Sequence, residues 1–150
     1  MTTGSNLPFR RLCEEFGARV VVSEMALAKK IMRRHKSEMA LLRRHPSEPA
    51  FGVQIAGRSP EWMAVAAQAA AEKGADFVDV NLGCPIDLVT RIGAGAALLE
   101  SPRRVAAIVT AMKGAVTIPV TVKIRTGWTA EKPTAHAVAR QHGLAWQSDR

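Results

Sequence analysis

Four short apolar runs, each preceded by a stretch of helical composition, constrain this chain more than any other feature. Arg19–Ser23 with its three valines, Phe51–Ile55, Phe77–Val80 and Pro119–Ile124 carry the β-branched and aromatic residues of buried strands. Leu7–Phe16, Ala26 to about Arg44, the stretch from Ser59 to Gly74 and the stretch from Ser101 to Gly114 precede them in turn and read as helices. Strands alternating with helices of this length connect through right-handed crossovers, which produce a parallel sheet. The expected fold class is therefore α/β. No internal repeat exists beyond that architectural rhythm.

The helix ends are punctuated as the physics of caps requires. Pro8 suits a first helical turn and Gly17 a stop, while Ser59-Pro-Glu-Trp offers a cap hydroxyl, a proline and an acid at a positive helix end. Ser101-Pro102 repeats the pattern. Leu7, Leu12, Cys13 and Phe16 can share one face of the first helix, which predicts that this face, Cys13 included, belongs to the core.

Chemistry in parallel α/β folds gathers at the carboxyl ends of the strands. There, Asn81, Gly83 and Pro85 stop the Phe77–Val80 run abruptly, and Cys84 stands at the stop. Its two readings are a catalytic thiol and a buried structural one. Gln54 interrupts an apolar strand near its end, either touching a ligand or satisfied as an interior amide. Glu24 and Met25 occupy the corresponding end of the first strand. Lys123 sits within Pro-Val-Thr-Val-Lys-Ile, where desolvating an ammonium implies a bound anion or a paired acid. Arg125 follows at the next but one position, on the same side. Gly93-Ala-Gly95 admits a phosphate in principle, and close backbone packing is the simpler use.

Length and charge narrow the partners. The 150 residues suffice for one domain, 47% of them hydrophobic. No apolar run approaches the roughly 20 residues that span a bilayer. The opening Met-Thr-Thr-Gly-Ser-Asn shows no secretory pattern, so a cytoplasmic chain is expected, with a nuclear one also allowed. The only two cysteines, Cys13 and Cys84, read as reduced thiols, and no metal-ligand spacing is present. A net charge of +8 permits a polyanionic partner. The charge concentrates in Lys29, Lys30, Arg33, Arg34, Lys36, Arg43 and Arg44, with Glu38 the single acid among them. Such a run is either a solvated helix face or a phosphate-facing one.

Asn81-Leu-Gly-Cys84-Pro-Ile-Asp-Leu-Val resembles the signature of the tRNA-dihydrouridine synthases, flavin-dependent (β/α)8 barrels. Asn6-Leu-Pro-Phe-Arg-Arg-Leu-Cys13, Ser23-Glu-Met-Ala26, Leu41-Leu-Arg-Arg-His-Pro46, Phe51-Gly-Val-Gln54, Gly95-Ala-Ala-Leu-Leu99 and Val122-Lys-Ile-Arg-Thr-Gly127 stand in the family's order. The Ile86-Asp-Leu-Val89 variant is similar to the third eukaryotic class, which modifies position 47 in the variable loop of tRNA.

The resemblance implies FMN as cofactor, NADPH or NADH as reductant and tRNA as partner. It implies hydride delivery to C6 of a uracil and a proton from Cys84 to C5, a role a mostly protonated thiol supports at neutral pH. By the same resemblance, Gln54 and Lys123 contact the flavin, while Asn81 and Arg125 lie beside the uracil. It also implies a partial barrel over residues 1–139, roughly strands two to five of eight, and a tail at 140–150 that departs from the family. The first strand's flavin contacts, the later His-Gly-Arg strand, the phosphate grips of strands seven and eight and the tRNA-binding domain have no counterpart here. Such a fragment is expected to present open sheet edges through which it self-associates. Two other readings stay open: a flavin barrel acting on free pyrimidines, of the dihydroorotate dehydrogenase kind, and a non-catalytic basic module that binds RNA.

Overall fold

The computed structural model describes residues 4–129 and 131–141. The 140–150 tail of the sequence reading lies almost wholly outside them. Three principal strands, β3 (Phe51–Ala56), β4 (Phe77–Leu82) and β5 (Val120–Ile124), pair in parallel, with β4 central. Two two-residue strands, β1 (Val21–Val22) and β2 (Ala26–Leu27), share the far side of β3 as one interrupted strand. Ser23, Glu24 and Met25 form the interruption.

Helices α2 (Ala28–Met32), α4 (Pro60–Glu72) and α6 (Pro102–Ala115) pack side by side in that order, so the crossovers cover one face, and a one-turn helix, α5 (Asp87–Thr90), follows β4. Val53, Ile55, Val78, Val80 and Leu82 point into that core and are fully buried with Met63, Ile108 and Met112. The opposite face carries Gly52, Gln54, Phe77, Asp79, Asn81, Thr121 and Lys123, as strand alternation requires. A parallel sheet with helices along one face and polar residues on the other is part of a (β/α)8 barrel. Gly52 has a local reason: a Cβ there would lie 2.2 Å from the Phe77 ring across the sheet.

Three expectations need correction. The basic segment from Ala26 to Arg44 is not one helix. Ala26-Leu27 stay extended to pair with Ile55-Ala56, α2 ends at Met32, and Arg34, with a φ of 54°, reverses the chain before α3 (Lys36–Leu41). Glu38, the lone acid of that segment, is buried, accepts the Leu27 N–H at 2.8 Å and pairs with Lys30 at 3.2 Å. The first helix, α1 (Leu7–Glu15), forms as expected, yet its apolar stripe is not core: Leu12 is 48% and Phe16 83% exposed. Arg10 turns inward instead. Its guanidinium pairs with buried Glu48, donates to the Ser5 and Arg43 carbonyls and lies 4.7 Å over the Phe51 ring. That pair, with the Asn6 side chain capping Phe9, fixes how α1 is rotated. Finally, Lys123 is exposed rather than buried, because β5 is the outer strand and its inner face has no opposite wall among the described residues.

Candidate active site

The polar face of the sheet carries one continuous relay of side-chain hydrogen bonds. Strand register puts Gln54 beside Asp79 and Asp79 beside Thr121. Thr121 Oγ1 donates to Asp79 Oδ1 at 2.7 Å, and Gln54 Nε2 donates to Asp79 Oδ2 at 2.7 Å. Asn81 Nδ2 donates to Gln54 Oε1 at 2.8 Å. Asn81 Oδ1 then accepts the backbone N–H groups of Gly83 at 3.1 Å and Cys84 at 2.9 Å. Asp79 sets the polarity of the whole series. A carboxylate only accepts, so the Gln54 amino group must face it, which leaves the Gln54 carbonyl for Asn81 and the Asn81 carbonyl for the turn. Burial pushes the Asp79 carboxyl above its ordinary range, against the opposing pull of its Gln54 and Thr121 hydrogen bonds and of the Lys123 charge. Protonation would leave the relay intact, since the Thr121 hydroxyl can accept as well as donate.

Cys84 is clamped from both sides. Its N–H is held by Asn81, and its carbonyl accepts the Ala96 N–H at 3.0 Å. Gly95 makes the second contact fit. Its φ is 60°, and a Cβ there would lie 2.6 Å from the Cys84 oxygen. Close backbone packing is thus what this glycine does. The thiol is half-buried and unpaired.

All five residues singled out in the sequence line one pocket of about 470 Å³, which Met25 borders from the interrupted first strand. Cys84 and Asn81 come from the end of β4, Gln54 from β3, and Lys123 and Arg125 from the end of β5. The side chains of Lys123 and Arg125 form no ion pair among the described residues. Gln54 and Asn81 each retain a second amino hydrogen. Amide donors, a thiol and two cations around one cavity can bind a carbonyl-rich ring, favour negative charge on it and move a proton at the Cys84 sulfur. The same donor set fits the ring of a flavin, with Gln54 and Lys123 as the groups that would hold it.

Asp79 and Thr121 escaped the sequence reading. The signal was present: Asp79 stands two residues before Asn81, on the same face of a strand otherwise too apolar for a carboxylate. Among the described residues no group of three or more His, Cys, Asp or Glu could hold a metal ion, and no helix is long and apolar enough to cross a membrane.

Comparison with known proteins identifies the family. The family model described as dihydrouridine synthase matches residues 1–144. The tRNA-dihydrouridine(47) synthase of Cryptococcus neoformans is 50% identical over 152 aligned positions, covering 97% of this chain and 21% of that protein. That of Malassezia globosa is 45% identical, covering 97% and 20%. A Mus musculus protein described as tRNA-dihydrouridine(47) synthase-like is 44% identical, covering 91% and 22%. This chain therefore spans about a fifth of the length of these curated relatives. With a matching profile over nearly its whole length, and relatives this similar, the chain belongs to the dihydrouridine synthase family.

Proposed function

We propose that this chain carries the proton-donating part of a site that reduces uridine in tRNA to 5,6-dihydrouridine. The observation that carries the reading is the Cys84 turn, locked on both sides and opening onto a cavity that also presents Lys123 and Arg125. FMN, reduced by NADPH or NADH as the NAD(P)(+) in the relatives' names suggests, would supply a hydride for C6 of the uracil. Cys84 then gives its proton to C5, and solvent restores the thiol. Arg125 and the free amino hydrogen of Asn81 orient the uracil carbonyls, while Gln54 and Lys123 hold the flavin ring.

The relay supports the acid in one specific way. A proton donor acts efficiently only when held within reach of the accepting atom, and a thiol on a free turn would sample many positions. Asn81 and Gly95 remove that freedom at the backbone. In the assay the cofactor is supplied in excess. The test is mass spectrometry of dihydrouridine in unmodified tRNA incubated with the chain, FMN and NADPH, beside Cys84→Ala. Product from the native chain and little or none from the variant is expected. Equal product from both would remove Cys84 from its role, and reduction of free uracil with tRNA untouched would favour a free-pyrimidine enzyme.

A further inference from the structure

A second cleft, of about 390 Å³, is lined by Lys29, Lys30, Arg58, Trp62 and Arg91 and by no acid. It has no lining residue in common with the Cys84 pocket and is linked to it through a short packed segment. The Gly93–Gly95 turn runs between them: Gly95 packs on Cys84, and the Arg58 stem would lie 3.2 Å from a Cβ at Gly93. A small apolar cluster of Ala56, Val89 and Ala94 joins the two, touching Leu27 on one side and Cys84 on the other.

Two of the cleft's four cations, Lys29 and Arg58, have no acidic partner among the described residues. Arg91 meets Asp87 at 3.2 Å, with both side chains about four-fifths exposed, so water screens that pair almost completely. Lys30 pairs with Glu38 and is itself half-exposed. Lys29 Nζ stands 5.4 Å from the Trp62 ring centre. Cations around an aromatic face describe a site for a phosphate chain carrying rings, where a phosphodiester meets the charges and a base or ribose meets the indole. We propose that this cleft is a phosphodiester subsite, which seats the RNA backbone beside the nucleotide presented to Cys84. The inference rests on the reading of RNA as substrate and extends it to residues outside the reacting pocket.

Fluorescence anisotropy of a labelled, unmodified tRNA transcript over a salt series tests it, using the native chain, the double variant Lys29→Ala/Arg58→Ala, and a control, Arg103→Ala/Arg104→Ala, on exposed positions of α6. The cleft variant should lose about tenfold in affinity, and the slope of log K against log salt should fall by about 1.5. The control should stay within about twofold of the native chain, and Arg58→Lys, which keeps the charge, should bind nearly as well. RNA should also quench tryptophan emission in the native chain more than in Trp62→Phe. Equal losses in both double variants, or no RNA binding at all, would overturn the subsite. So would inorganic phosphate at matched ionic strength that quenches Trp62 and displaces the tRNA, since the cleft would then be a site for free anions. Cleft-dependent binding of a uridine oligomer with no dihydrouridine formed would support the subsite and sink the catalytic reading. Dihydrouridine formed with cleft-independent binding would do the reverse.

Discussion

Strands β3 and β5 flank the same central strand, and one is sealed where the other is open. All six residues of β3 are buried, whereas β5 alternates half-buried with exposed. On the β3 side, polar groups are satisfied by protein: Gln54 by Asp79 and Asn81, and Arg10 by Glu48 and two carbonyls. On the β5 side, Lys123 and Arg125 face a cavity without ion-pair partners among the described residues. The β3 side uses most of its polar hydrogen bonds to hold the fold. The β5 side leaves its cations for whatever enters.

The contrast is broken most severely at the sealed edge. Glu48→Ala strands the buried Arg10 guanidinium and the His45 N–H that Glu48 Oε2 accepts at 2.7 Å. A loss of about 3–5 kcal/mol in urea unfolding is expected, and a loss below about 1 kcal/mol would mean that Arg10 escapes to solvent. Gly95→Ala comes next. The left-handed backbone and the clash with the Cys84 carbonyl together should cost about 2–4 kcal/mol and release the Cys84 turn, read as faster alkylation of the thiol.

Asn81→Ala removes a link in the relay and should cost about 1–3 kcal/mol by leaving the Gly83 and Cys84 N–H groups and the Gln54 carbonyl without it. Asp79→Asn sharpens the comparison through pH. A carboxyl whose pKa is raised on folding binds its proton more tightly in the folded state, so its contribution is full below the unfolded value of 3.8 and declines as pH rises through the folded value. Urea unfolding across that range should therefore show a stability loss with rising pH in the native chain that the variant lacks. An identical slope in both would mean that Asp79 is not desolvated. Lys123→Ala, at the open edge, should change stability by no more than about 0.5 kcal/mol. A larger loss would show that β5 is covered, for instance by a second copy of the chain.

Much of this was legible in the sequence. Short apolar runs rich in β-branched and aromatic residues located β3, β4 and β5, and helix caps located α1, α4 and α6. The five residues of the pocket were found because each is an anomaly in its strand or at its end. What escaped depended on pairing. Ala26-Leu27 are good helix residues drawn into a strand by β3, and Arg34 takes a left-handed backbone that composition does not signal. Arg10 reads as a solvent residue until Glu48, 38 positions away, is placed against it.

The sequence by itself determined the alternation of strand and helix, and with it a parallel sheet whose strand ends collect Gln54, Asn81, Cys84, Lys123 and Arg125. Local propensity and side-chain periodicity act over a few residues, so a linear text records them. Tertiary structure alone decided that Asp79 orients an amide series ending at Cys84, that Arg10 replaces the apolar stripe of α1 in the interior, and that Lys123 faces open space. Those outcomes turn on strand register and on desolvation. Both are properties of groups far apart in the chain, brought together only when the sheet forms.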